Sequence, residues 1–340
     1  MATANFYVGV DVGTGSARAT LVRQDGLVVA SSTENITTYR DPEDHRIFEQ
    51  STTNIWEAIS ATVKACLSVA QVSPSSVKGI GFDATCSLAV TDANGEPVIV
   101  TRGDQLGQHG ERNVVLWADH RAEEEAELIN GTGSEVLDFV GGTMSVSPFF
   151  FLPSIKHSLY QRPLATRVIE QLEMECPKIL WLKKRMDPTL FTRCQFFDLP
   201  DFLTYRATSS DIRSSCSLTC KFSYIPDNGW RADFFQKIGL GEFVERDYEP
   251  VGGNVLTAGM PVGHGLCKKA AQELGLVEGT PVGSALIDAC VGPLLLLDYF
   301  FNSHLLAMRD GWGLSLRDTP TMERYQTRLL LMSHNIGWPS

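Results

Sequence analysis

The stretch Phe6-Tyr7-Val8-Gly9-Val10-Asp11-Val12-Gly13-Thr14-Gly15-Ser16-Ala17-Arg18 decides the fold. Its first seven residues alternate and are rich in valine, which predicts a strand. Gly13-Thr14-Gly15 predicts a tight turn, Ala17–Gln24 a returning strand, and Leu27–Ser32 a third strand after the turn at Asp25-Gly26. The first strand ends in a carboxylate and runs into a glycine turn with two hydroxyls. Glycines let backbone N–H groups approach an anion closely, and the hydroxyls of Thr14 and Ser16 can donate to phosphate oxygens. Asp11 would hold a hydrated Mg²⁺ there, because that ion prefers oxygen ligands and keeps its waters. No lysine follows the glycines, so this is not a P-loop. A strand rather than a helix comes next, so it is not a dinucleotide fingerprint either. An ordinary glycine-rich hairpin is the competing reading.

Working outward, Ser51–Val69 has a helical apolar period, with Ser51-Thr52 as its N-cap. Val77–Phe82, Ser87–Thr91 and Gln195–Leu199 read as strands, and Ala122–Ile129, Lys178–Lys184, Pro200–Ala207 and Lys268–Leu274 as helices. Pro281–Ile287 reads as a strand that delivers Asp288. Strands alternating with helices after an antiparallel start predict an α/β layered fold.

Three further places carry chemistry. Asp288, at the carboxyl end of its strand, suits a general base facing a cleft, or else caps a following helix. Trp117-Ala118-Asp119-His120-Arg121 offers an aromatic wall beside donors and acceptors, as a sugar would need. Its plainer reading puts Trp117 in the core and Asp119 at an N-cap. Asp83-Ala84-Thr85-Cys86-Ser87 is a similar polar turn after a strand. Lys221 ends a run of small residues, where a lysine is usually solvated but could meet a substrate oxygen.

Composition sets the limits. The chain has 340 residues, 43% hydrophobic and 20% charged, the balance of a soluble globular protein with room for about two domains. Its net charge of −11 provides no positive field for nucleic acid. Eight scattered cysteines predict reduced thiols and a cytoplasmic setting. No signal peptide and no membrane span are read. The histidines form no metal motif.

Taken together, these pieces resemble the FGGY carbohydrate kinases, most closely their ribulokinase branch. The matching text is Gly9–Arg18, Phe48-Glu49-Gln50-Ser51, Gly79–Cys86, Leu116–Ala122, Val140–Val146, Pro177–Leu182, Asp198–Leu203, Arg213–Cys216, Lys221 and Leu286-Ile287-Asp288-Ala289. The resemblance implies an actin-like, ribonuclease-H-like fold that transfers the γ-phosphate of ATP to a ketopentose such as D-ribulose. It implies ATP phosphates on Gly13, Thr14, Gly15 and Ser16, Mg²⁺ near Asp11, and Asp288 as the base. Asp83, Thr85, Cys86, Trp117, Asp119 and Lys221 fall where the branch touches sugar. A homodimer is left open.

The resemblance has two breaks. Ser147–Glu173 intervenes between two matching segments and reads as an insertion. After Gly292 the family text stops, and 293–340 reads as a tail. The expected layout is therefore a first domain over 1–292, with the second actin-like domain essentially missing. From this we expect impaired turnover, or alternatively an inactive sugar- or partner-binding fragment.

Overall fold

Alternation in the first strand sorts its side chains between two faces. Val8, Val10 and Val12 are buried while Gly9 is exposed and Asp11 half-buried. A computed structural model describes residues 4–140, 142–144, 174–226 and 228–287. The expected insertion at 147–173, the tail at 293–340 and Asp288 itself lie outside the described residues. Strand β1 (Phe6–Val12) pairs antiparallel with β2 (Ser16–Arg23), and β2 with β3 (Val28–Asn35), giving the expected meander. Two short strands follow, β4 (Tyr39–Arg40) and β5 (Phe48–Gln50).

The helix Thr52–Ala70 begins where the Ser51 side chain accepts the Asn54 N–H. This satisfies one orphan donor of the first turn. Its Ile55, Ile59, Val63 and Cys66 are buried on the back of β2 and β3. Each large apolar side chain so covered contributes about 1.5–3 kcal/mol. The helix then serves as the crossover that a parallel pair requires, and β6 (Val77–Ala84) runs parallel to β1.

The remaining strands are β7 (Leu88–Asp92), β8 (Val114–Val115), β9 (Cys194–Asp198), β10 (Arg213–Ser214), β11 (Val255–Leu256) and β12 (Leu286–Ile287). They complete two five-stranded sheets, β12-β6-β1-β2-β3 and β4-β5-β8-β7-β9, and a small β10-β11 pair. One apolar core gathers Val10, Leu21, Ile59, Phe82 and Phe202, and a second gathers Leu88, Val90, Leu182, Phe196 and Phe243. No helix among the described residues is long and apolar enough to cross a membrane.

Two expectations need correcting. Pro281–Ile287 is not one continuous strand, since only Leu286 and Ile287 form a ladder with β6. Upstream, its backbone is shared between two neighbours. The Gly283 N–H donates to the Ile80 carbonyl, while the Ser284 N–H donates to the Met260 carbonyl. The second correction concerns the small residues before Lys221. They form a helix, Ser215–Lys221, capped by the Ser214 hydroxyl, and it buries Lys221.

Candidate active site

The carboxyl ends of β1, β6 and β12 lie side by side. Asp11 is in register with Asp83, Asp83 with Leu286, and Ala84 with Ile287. Asp288 is the next residue of the chain. In open α/β sheets this end is where ligands bind.

The turn after β1 is tied back into the protein through its carbonyls. The Thr14 carbonyl accepts from Gln50 Nε2 (2.8 Å) and from the Thr38 hydroxyl (3.0 Å). The Gly15 carbonyl accepts the Ile36 N–H (3.1 Å), and the Val12 carbonyl accepts the Thr85 N–H (3.0 Å). Within the turn, the Gly13 N–H donates to the Ser16 carbonyl at 3.0 Å. Carbonyl oxygens repel anions, so fixing them away from the mouth suits a phosphate cradle. Ser16 belongs to the first rung of β2.

Arg18 is a functional candidate to which sequence reading gave no role. It faces Asp11 across the β1–β2 ladder and donates Nη1 to Asp11 Oδ2 at 2.6 Å, both side chains being about half exposed. Its guanidinium also lies over the turn, 3.4 Å from where a Cβ on Gly13 would stand. Counting residues across the hairpin would have found this pair. Among the described residues no three His, Cys, Asp or Glu side chains surround a common metal position. Asp11, half-exposed and paired with Arg18, offers a single carboxylate, which fits an ion such as Mg²⁺ that keeps most of its waters and shares phosphate oxygens.

Next to the turn, the Trp117 backbone N–H donates to the Ser87 hydroxyl (3.1 Å), which lies 3.4 Å from the Thr85 hydroxyl. The Trp117 indole N–H reaches Thr14 Oγ1 at 2.7 Å. Asp119 is neither an N-cap nor open. Its oxygens accept the Phe48 N–H (2.8 Å), the Arg121 N–H (3.0 Å) and the Arg121 guanidinium (2.7–2.9 Å). The other side of Arg121 donates to Glu49 (2.7 Å) and to the Val100 carbonyl (2.8 Å). Glu49 also receives Arg112 at 2.7 Å. Asp119 therefore anchors the Trp117 segment through a buried ion network. No local sequence signal joins Glu49 to Arg121.

Lys221 is buried rather than solvated. Burial opposes its charge, yet the Cys86 thiol and then the Asp198 and Glu175 carboxylates outweigh it and push its pKa above the ordinary lysine value. Burial, aided by Glu175 and Asp201, pushes Asp198 well above the usual carboxylate range. Glu175 sits 3.2 Å from Lys178. The sequence thus yielded the cation and the thiol, but the carboxylates around them come from other elements.

Beside this cluster, Asp201 accepts the Ser214 N–H at 2.8 Å. Burial pushes its carboxyl up to about 7, whereas an unfolded aspartate titrates near about 4. The folded state therefore holds the extra proton between these values. The stability it provides is complete below about pH 4 and is lost as pH rises through about 7. The Tm of Asp201→Asn minus that of wild type should grow from about pH 5 to about pH 8 by scanning calorimetry. A pH-independent difference would refute this.

Residues 6–157 match the model for the FGGY family of carbohydrate kinases, N-terminal domain. The chain is 40% identical over 290 residues to an FGGY carbohydrate kinase domain-containing protein of Xenopus laevis, covering 85% of this chain and 46% of that one. Over these residues the chain is similar to the FGGY family of carbohydrate kinases. A D-ribulokinase of Saccharomyces cerevisiae is 40% identical over 301 residues, covering 85% of this chain and 38% of that protein. Among solved structures, a xylulose kinase from Rhodospirillum rubrum superposes with a TM-score of 0.62 at 18% identity, covering 84% of this chain and 50% of that one. The expected actin-like sugar-kinase fold is therefore the fold observed. The chain spans about half or less of the length of the curated relatives it matches.

Proposed function

We propose that the protein phosphorylates a ketopentose such as D-ribulose with Mg·ATP. The observation that carries this reading is the lateral register of Asp11, Asp83 and the Leu286–Ile287 end of β12 beside the tied-back Gly13–Ser16 turn. The D-ribulokinase relative supports the choice of sugar.

In this reading, the backbone N–H groups of Thr14 and Gly15 and the hydroxyls of Thr14 and Ser16 bind phosphate oxygens, while the Gly13 N–H closes the turn on Ser16. Asp11 would hold Mg²⁺, which neutralises phosphate charge. The Arg18 guanidinium turns from Asp11 toward the phosphates. Asp83, Thr85, Cys86 and the Lys221 ammonium meet sugar oxygens, with Trp117 as the wall and Asp119 holding that wall in place. Asp288 takes the proton of the attacking hydroxyl as its oxygen bonds the γ-phosphorus and the bond to the ADP oxygen breaks. Transfer of this kind depends on positioning and charge neutralisation.

ADP release measured with D-ribulose and Mg·ATP tests the proposal, and the expected result is release that depends on the sugar. A second reading is a sugar-binding piece without turnover. Heat of D-ribulose binding without ADP release would establish it. Neither binding nor turnover would overturn both.

A further inference from the structure

We infer that Trp117 is a positioning residue for the phosphate turn, acting through the hydroxyl of Thr14. The inference rests on the kinase reading above for its meaning and on the geometry of the free protein for its test. An indole N–H only donates, whereas a threonine hydroxyl has one proton and two lone pairs. At 2.7 Å the Trp117 N–H occupies one lone pair of Thr14 Oγ1. The Thr14 proton must then point elsewhere, so the hydroxyl is preset as a donor. That is the state a phosphate oxygen requires.

Trp117 is itself fixed from behind. Its backbone N–H is held by Ser87, and two residues on, Asp119 is locked by Arg121 and the Phe48 N–H. The other half of Thr14, its carbonyl, is held by Gln50 and Thr38. Gln50 lies on β5 of the second sheet, and Trp117 follows β8 of that sheet. The turn belongs to the first sheet. Gln50 and Trp117, from the second sheet and its flank, therefore both reach one residue of the turn, Thr14. A sugar against the indole would tighten the phosphate turn before the phosphate is engaged.

Hydrogen–deuterium exchange of the Val12–Ala17 segment tests this in the full chain, comparing wild type with Trp117→Phe, Thr14→Val, Thr14→Ser and the Trp117→Phe/Thr14→Val double variant. The Gly13 amide donates to Ser16 and reports opening of the turn. It should exchange about fivefold faster in Trp117→Phe and in Thr14→Val, as expected for one lost hydrogen bond. The double variant should be no faster than either single one, because both remove the same contact. Thr14→Ser keeps the oxygen and should behave as wild type. Wild-type exchange in both Trp117→Phe and Thr14→Val, or additive effects in the double variant, would overturn the inference.

Repeating the measurement with D-ribulose should slow Gly13 exchange in wild type but not in Trp117→Phe. Failure of D-ribulose to bind wild type in calorimetry would count against the proposed function. The sugar-free comparison would still decide the role of Trp117.

Discussion

Replacing Arg121 by methionine is expected to lower the unfolding free energy by about 3–5 kcal/mol, the usual consequence of deleting one partner of a buried ion network. The Arg121 side chain is 2% exposed and those of Glu49 and Asp119 are 0% exposed. Methionine fills much of the volume but leaves Asp119 with only backbone donors, the Phe48 and Arg121 N–H groups. Glu49 would keep Arg112 and the Thr101 hydroxyl, so the larger part of the loss should come from Asp119. A built-in comparison is Arg23→Met. Arg23 pairs with Asp25 at 2.7 Å on the surface, with side chains 39% and 53% exposed. Exposed pairs contribute about 0–1 kcal/mol. Urea unfolding of both variants gives the contrast directly. A loss under about 1 kcal/mol for Arg121→Met would show that the network contributes no more than a surface pair.

Asp288→Asn is expected to lower kcat for D-ribulose phosphorylation by about 10²–10⁴, the range for removing a positioned proton acceptor. The two-residue ladder of β12 with β6 sets Ile287 beside Ala84, and Leu286 beside Asp83 and so in line with Asp11. Asparagine keeps the shape of aspartate but cannot accept the hydroxyl proton. The KM for Mg·ATP should therefore change little while kcat falls. Steady-state ADP release at saturating sugar makes the measurement. Turnover of the asparagine variant at the wild-type rate would remove Asp288 from the proposed chemistry.

Different parts of the molecule were legible in the sequence to different degrees. The meander and its turn were readable because a strict alternation of valines meets a glycine turn. Both signals are local. The helix after Ser51 was readable for the same reason, its period and cap lying within one segment. The Pro281–Ile287 segment misled because its apolar text looks like a strand, whereas its hydrogen bonds are divided between Ile80 and the Met260 loop. The burial of Lys221 was not legible locally, and the groups that raise its pKa, Cys86, Asp198 and Glu175, lie on other elements. Nor could local reading join Glu49 to Arg121, which are 72 residues apart in the chain. The family motifs named the candidate residues, and long-range packing determines which of them hold one another.

The order of strands has a consequence for how the molecule comes into being. Residues near 286 pair with β6 some 200 positions earlier, so this ladder closes one of the longest loops in the chain. Such contacts bear a loop-closure entropy cost and tend to form late. On a ribosome, the Gly13–Ser16 turn and the helix after Ser51 can fold while β12 has not yet been synthesised. In the proposed reading, partly made chains would hold the phosphate-binding turn without the proposed base, Asp288.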